Sequence, residues 1–209
     1  IKEGGSADPS VNSKLKDCIA KAKAANVPND NIERIIKKAA NDSDSTNYEA
    51  VTYEGYGPSG VAVIVEALTD NRNRTAGEVR HYFDKFGGNM GTQGCVSFMF
   101  SQKGVLVIER EELEKDEDTV MSDALECGAS DFEADEDVFT IYTEPEDFGA
   151  VRDDLEKLGY AFVSAELEMV PSTYTKLEDE ETATKMQKML DMFEDNDDIQ
   201  NVWHNWEMD

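Results

Sequence analysis

Residues 51–104 read VTYEGYGPSGVAVIVEALTDNRNRTAGEVRHYFDKFGGNMGTQGCVSFMFSQKG, and the order of elements in this stretch decides the fold. Val61 to Leu68 is a β-branched apolar run interrupted only at Glu66, short enough for a strand and apolar enough for the middle of a sheet. A polar turn follows. Thr75 and Glu78 have the spacing of a capping box, and Val79, Tyr82, Phe83 and Phe86 then recur at helical intervals until Gly87 and Gly88. Beyond them Val96, Phe98 and Phe100 alternate, which predicts a second core strand. The loop Asp70-Asn71-Arg72-Asn73-Arg74 is thereby placed between a strand and a helix start, where backbone N–H groups and two arginines offer a place for a phosphate or carboxylate. The plainer reading is that Arg72 and Arg74 are solvated or paired with nearby acids, since exposed ion pairs are common and contribute little.

Just upstream, Gly55-Tyr56-Gly57-Pro58-Ser59-Gly60 matches the dinucleotide pattern G-x-G-x-x-G. A strand follows it instead of the helix that would hold a pyrophosphate, so the glycines are read as a turn between two strands. Residues 1 to 45 read as helical. Asp8-Pro9 and Asn12-Ser13 supply helix starts, and Leu15, Ile19 and Ala22 form an apolar stripe flanked by Lys14, Lys16, Lys21 and Lys23. Val27-Pro28 breaks that helix. A second begins near Asn29, with Ile32, Ile35 and Ile36 inward and Arg34, Lys37 and Lys38 outward or at its C-terminal end. Two short helices bury too little to stand alone, so a third element is expected ahead of Ile1. Asn41 to Asn47 is small and polar, and is read as a linker.

Residues 105 to 170 read as a complete βαββαβ unit, the order of a ferredoxin-like fold. Val105 to Ile108, a strand pair around Asp135-Glu136-Asp137, and the alternating Val163, Ala165, Leu167 and Met169 supply the strands; Thr119 to Leu125 and a segment opened by Pro145 supply the helices, the second with Phe148, Val151, Leu155 and Leu158 on one face. The acids around Asp131 to Asp137 lack the spacing and glycine of a calcium loop, so no metal site is expected. The tail offers a helix with Met186, Met189, Leu190 and Phe193 on one face and then a strand from Ile199 to Trp206. A lone helix and strand cannot make a core and must return to the sheet around Val61 to Leu68. The fold class is therefore α+β and multidomain: an N-terminal helical domain (1–45), a central α/β domain (49–104 plus 171–209), and a ferredoxin-like βαββαβ domain (105–170) inserted into the central one. Trp203 and Trp206 are read as packing rather than base-stacking aromatics.

A net charge of −26 argues against a nucleic-acid partner unless the charge is segregated. It is. Residues 1–45, 46–104, 105–170 and 171–209 carry +1, −1, −18 and −8, so the first half can face a polyanion while the acid lies in the second. No apolar run approaches the ~20 residues that span a bilayer, and no membrane partner is expected. Three unclustered cysteines, Cys18, Cys95 and Cys127, fit neither a disulfide framework nor a zinc site and point to a reducing cytoplasm. Walker A, G-x-S-x-G and H-E-x-x-H motifs are absent, and His81 and His204 are the only histidines. No enzyme, cofactor or small-molecule substrate is expected.

The runs TYEGYGPSGVAVIVEALTDNRNRTAGEVRHYFDKFGGNMG (52–91) and KAKAANVPNDNIERIIKKA (21–39) resemble the YebC/PmpR family of probable transcriptional regulators, whose mitochondrial relatives are translational activators. The resemblance covers most of the chain. It implies the three-domain arrangement above and binding to nucleic acid or ribosomes without catalysis. Such proteins usually begin with a basic segment before the first helix here, so a start ahead of Ile1 is expected. The resulting expectation is a cytoplasmic regulator holding DNA backbone phosphates through Arg72, Arg74 and Arg80, with Lys85 behind them and Lys21, Lys23, Arg34, Lys37 and Lys38 on an adjoining face. The alternative is a ribosome-associated translation factor whose cationic half touches ribosomal RNA. A scaffold that oligomerises through the ferredoxin-like unit is a third reading.

Overall fold

The computed structural model describes residues 1, 4–24, 26–41, 48–111 and 113–208, so most of the 41–47 linker lies outside the described residues. Helices α1 (Ser13–Ala24) and α2 (Asn29–Asn41) come first. Asn12 is buried at the entrance of α1, where its side-chain oxygen accepts the Leu15 N–H at 3.1 Å and so satisfies one of the free donors of the first turn. Leu15 is buried, and Ile19, Ala22, Ile32, Ile36 and Ala39 are half-buried. Ile35, expected inward, is 59% exposed, because it lies about 100° round the axis from Ile36 and off the stripe.

Strands β1 (Glu49–Tyr56) and β2 (Ala62–Thr69) form an antiparallel hairpin in the register Tyr53↔Val65, so the glycine cluster is a strand-to-strand turn as read. Gly55, at the end of β1, is required by space: a Cβ would lie 2.6 Å from the Asn89 carbonyl oxygen. Helix α3 (Arg72–Lys85) begins earlier than the capping-box spacing indicates. Asn71 is the N-cap, accepting the Arg74 N–H at 3.1 Å, and Thr75 is buried instead, its hydroxyl among side chains of β2 and the tail. Arg72 and Arg74 therefore stand in the first turn of a helix and not in a loop.

The short strand β3 (Asn89–Met90) pairs with β1. The predicted strand from Val96 to Phe100 does not form. Buried Glu54 accepts the backbone N–H groups of Gly94 (2.7 Å), Val96 (2.9 Å) and Ser97 (2.9 Å), which coils the segment and removes the donors a strand would need. Ser97–Met99 is a 3₁₀ turn with Phe98 75% exposed at its tip.

Strand β4 (Phe100–Glu109) is followed by α4 (Glu117–Glu126), β5 (Asp131–Ala134), β6 (Val138–Thr143), α5 (Phe148–Lys157) and β7 (Ser164–Pro171). The strands make an antiparallel sheet of order β5-β6-β4-β7. Leu106, Ile108, Phe139 and Ile141 pack against Val120 and Ala124 of α4 and Val151 and Leu155 of α5. Alternation turns Lys103, Val105, Tyr142, Glu166 and Glu168 to the other face. Because β4 starts at Phe100 and pairs there with Pro171, the expected boundary at 104/105 falls inside a continuous strand. Pro145 stands in the turn ahead of α5, and Leu158, expected on its buried face, is 47% exposed past its end.

Strand β8 (Thr175–Lys176), helix α6 (Glu180–Glu194), β9 (Ile199–His204) and β10 (Trp206–Glu207) complete the chain. Strand β9 pairs antiparallel with β2, giving a sheet of order β3-β1-β2-β9, and β10 pairs in parallel with β8. Helices α3 and α6 cover one face of the larger sheet, with Phe83, Met186, Met189 and Phe193 fully buried. Ala62 and Ile64 on its other face meet Val96, Phe100, Met169 and Trp203, which seats the base of the β4–β7 ribbon against the sheet. The result is a mixed α/β architecture with six helices and three sheets among the described residues. None of these helices is long and apolar enough to cross a membrane.

Candidate nucleic-acid interface

The nine cations singled out in the sequence fall into three situations. Arg74 is tied down. Its Nη2 lies 2.8 Å from Asp70 Oδ1 and 2.7 Å from Asp198 Oδ2, and the two carboxylates hold its guanidinium more firmly charged than usual. Asp198 also receives the Thr69 hydroxyl at 3.2 Å and has the Thr75 hydroxyl 2.7 Å away. Burial alone would push the Asp198 carboxyl up, but the hydrogen bonds from Arg74, Thr75 and Thr69 outweigh it and leave it below the ordinary range. The guanidinium thus joins the start of α3 to the entrance of β9, and its charge is balanced within the fold. As a free phosphate ligand Arg74 is corrected to a structural tie.

Arg72 and Arg80 are exposed and make no ion pair among the described residues. They are eight positions apart and so about 80° apart round α3. The Arg72 carbonyl accepts the Tyr53 hydroxyl at 3.4 Å, which fixes this end of the helix over β1. Arg74 and Lys85, about 20° apart, occupy another flank, the one facing α6 and β9. Lys85 Nζ lies 3.4 Å from Met192 Sδ and 5.3 Å from the Phe86 ring centroid. The expected grouping of Lys85 behind Arg72 and Arg80 is replaced by a split between two flanks.

In the helical lobe, Lys21 Nζ is 2.9 Å from Glu166 Oε2 on the open face of the β5-β6-β4-β7 sheet. Lys23, two residues on, is about 200° round the axis, so the two lysines do not share a face. On α2, Arg34, Lys37 and Lys38 do share one, opposite Ile32, Ile36 and Ala39. Lys37 has Glu33 at 3.6 Å and Arg34 has Asn31 Oδ1 at 3.4 Å, while Lys38 has no ion-pair partner among the described residues. No group of three or more metal-ligating side chains occurs among the described residues.

Two features of the surface have little local signature. Phe98, expected in a core strand, stands in solvent; the glycines at 91 and 94 are the signal that the segment turns. The cleft between β7 and the tail, lined by both tryptophans, depends on contacts across about 35 residues of chain and has no local pattern.

Fold and site together define a mixed α/β protein that carries exposed cations without carboxylate partners on flanks of α2 and α3. The chain belongs to the TACO1/YebC family: residues 48–206 match the TACO1/YebC second and third domain, and residues 1–42 match the TACO1/YebC protein N-terminal domain. It is 65% identical over 206 residues to a protein of Acetivibrio thermocellus named "Probable transcriptional regulatory protein", covering 99% of this chain and 84% of the relative. A Finegoldia magna protein of the same name is 59% identical, with 99% and 85% covered. The crystal structure of a conserved hypothetical protein from Aquifex aeolicus superposes with a TM-score of 0.84 at 45% identity, covering 97% of this chain and 83% of that one.

Proposed function

We propose that the protein is a cytoplasmic, non-catalytic regulator of gene expression that binds nucleic acid through the exposed cations of α2 and α3. The observation that carries this reading is that Arg72, Arg80, Arg34 and Lys38 lack carboxylate partners among the described residues, in a chain whose net charge is −26. Unbalanced cations kept on two helix flanks against such a surplus of acid are what a phosphate backbone would use. The names of the Acetivibrio and Finegoldia relatives support a regulatory role. Contacts of this kind position a protein without reading bases, so sequence preference is weak. The residues 105–170 are taken as an inserted ferredoxin-like domain, supported by the order βαββαβ and the sheet order β5-β6-β4-β7.

A second reading, a translation factor on ribosomal RNA, is favoured by the contact of Lys21 with Glu166. Acid placed that close to the basic helices narrows the cationic surface. A narrow surface suits an RNA–protein particle better than a long duplex.

Fluorescence anisotropy with labelled duplex DNA and single-stranded RNA tests the proposal. With about four phosphate contacts, log affinity against log salt is expected to fall with a slope of roughly −4 on duplex DNA. Combining Arg72→Glu, Arg80→Glu, Arg34→Glu and Lys38→Glu abolishes binding. Unchanged binding by the folded quadruple variant overturns the proposal, and cosedimentation with ribosomes without duplex binding selects the second reading.

A further inference from the structure

A groove of about 240 Å³ opens between the β4–β7 ribbon and the tail strands β9 and β10. Four aromatic side chains, Tyr142, Tyr174, Trp203 and Trp206, line it together with Glu168 and His204. We propose that this groove receives the side chain of a lysine or arginine from a basic segment of a partner protein, with the aromatic rings as its walls and the Glu168 carboxylate as its counter-charge. The inference is independent of the helix cations and of the function assigned to them.

Glu168 supplies the first argument. It is half-buried and makes no hydrogen bond or ion pair with any described side chain. Lys21, the cation beside it, is already 2.9 Å from Glu166. Lys103 stands opposite Glu168 across the β4–β7 pair but forms no ion pair with it. A carboxylate withdrawn from water without a partner is stabilised by any cation that arrives.

The polar groups exclude an anion. Burial lowers the His204 imidazole from its ordinary value and so disfavours its cationic form, and its Nδ1 accepts the backbone N–H of Trp206 at 3.2 Å. The Tyr142 hydroxyl is committed to Glu133 at 2.9 Å. With residues 105–170 carrying −18, a phosphate in this groove meets repulsion, and neither a lysine nor an arginine is among the residues that line it.

Aromatic walls beside a carboxylate are the chemistry that recognises ammonium and guanidinium groups. Tyr142 already has one such neighbour, Lys103 Nζ, 5.7 Å from its ring centroid. At about 240 Å³ the groove is smaller than the ~300–1,000 Å³ of small-molecule sites, and it matches one side chain entering from a longer segment.

Trp203 and Trp206 are the only tryptophans, so all tryptophan emission of the full chain comes from residues that line this groove. The probe is the blocked peptide acetyl-Gly-Ser-Arg-Ser-Gly-amide, titrated at physiological salt beside its neutral citrulline counterpart. The arginine peptide is expected to shift the emission saturably, and the citrulline peptide to bind about tenfold more weakly. Glu168→Gln, which keeps the shape of the side chain, should weaken the arginine peptide about tenfold, while Glu146→Gln, an exposed acid ahead of α5, should not. Equal affinity for the two peptides overturns the proposal, as does an unchanged response in Glu168→Gln. An equal loss in Glu146→Gln assigns the signal to the general acidity of the surface and also overturns it. So does saturation by a single-stranded oligonucleotide in place of the peptide.

Discussion

Asp198 shows how a single carboxylate changes the meaning of a neighbouring arginine. In sequence, Arg74 stands in a polar run after a strand, the position of an anion ligand. In the fold, Asp198 arrives from 124 residues away and occupies it. Nothing in the local pattern announces that contact, which is why the arginine cluster was legible as a cluster while the commitment of one member was not. Asp198→Asn should lower stability to urea by about 1–2 kcal/mol, at the low end because Arg74 is 44% exposed and solvent screens the pair. Glu54 is the second such residue. Burial would raise its carboxyl, but the N–H groups of Gly94, Val96 and Ser97 outweigh it and hold it below the ordinary range. For both acids the folded state binds its proton less readily than the unfolded chain, so their contribution is complete above the unfolded value near ~4 and is lost as pH falls through the depressed folded values. Urea midpoints measured from neutral pH downward should therefore fall across that acid window, and less steeply in Glu54→Gln, which starts about 1–3 kcal/mol less stable.

At the scale of elements, strong periodicity was readable and side-chain capture of the backbone was not. The β1–β2 hairpin, α6 with its buried methionines, and the pairing of β9 with β2 all follow from alternation, helical spacing and the need of a lone strand for a sheet. Val96, Phe98 and Phe100 alternate just as well and yet make no strand, because Glu54 collects their segment's donors from 40 residues away. The start of α3 departs from the capping-box spacing for a related reason: Thr75 has the right neighbours for a cap, but its hydroxyl is buried against Thr69, 2.8 Å away. Once the helix starts at Arg72, the helical period separates its cations. Arg72→Glu with Arg80→Glu should leave the thermal midpoint nearly unchanged, about 0.5 kcal/mol per site at most, while weakening nucleic-acid binding. Arg74→Glu should do the reverse, lowering the thermal midpoint by facing two carboxylates, with little direct effect on binding to the folded protein. Calorimetry and anisotropy on the same preparations separate the two classes.

For the molecule as a whole, the segregation of charge could be counted along the chain, but its placement could not. The count suggests acid held away from the basic helices. Instead, Glu166 on the uncovered face of the acidic sheet meets Lys21 of α1 at 2.9 Å, so the two ends of the charge distribution touch. Side-chain exposures of 55% for Lys21 and 33% for Glu166 make this a solvent-screened pair, and its removal should change folding stability by well under ~1 kcal/mol. Its effect on a polyanion is larger, because Glu166 competes with a phosphate for the same ammonium group. Glu166→Gln frees Lys21 and also removes one negative charge beside the helical lobe. If α1 lies within the interface, the variant gains about one phosphate contact, and the slope of log affinity against log salt steepens by about 0.7 on single-stranded RNA or 0.9 on duplex DNA. The variant and the parent should then differ several-fold at low salt and converge as salt rises. Anisotropy titrations across salt read both quantities. An unchanged slope with an unchanged fold would place Lys21 outside the interface and leave the cations of α2 and α3 to carry the binding.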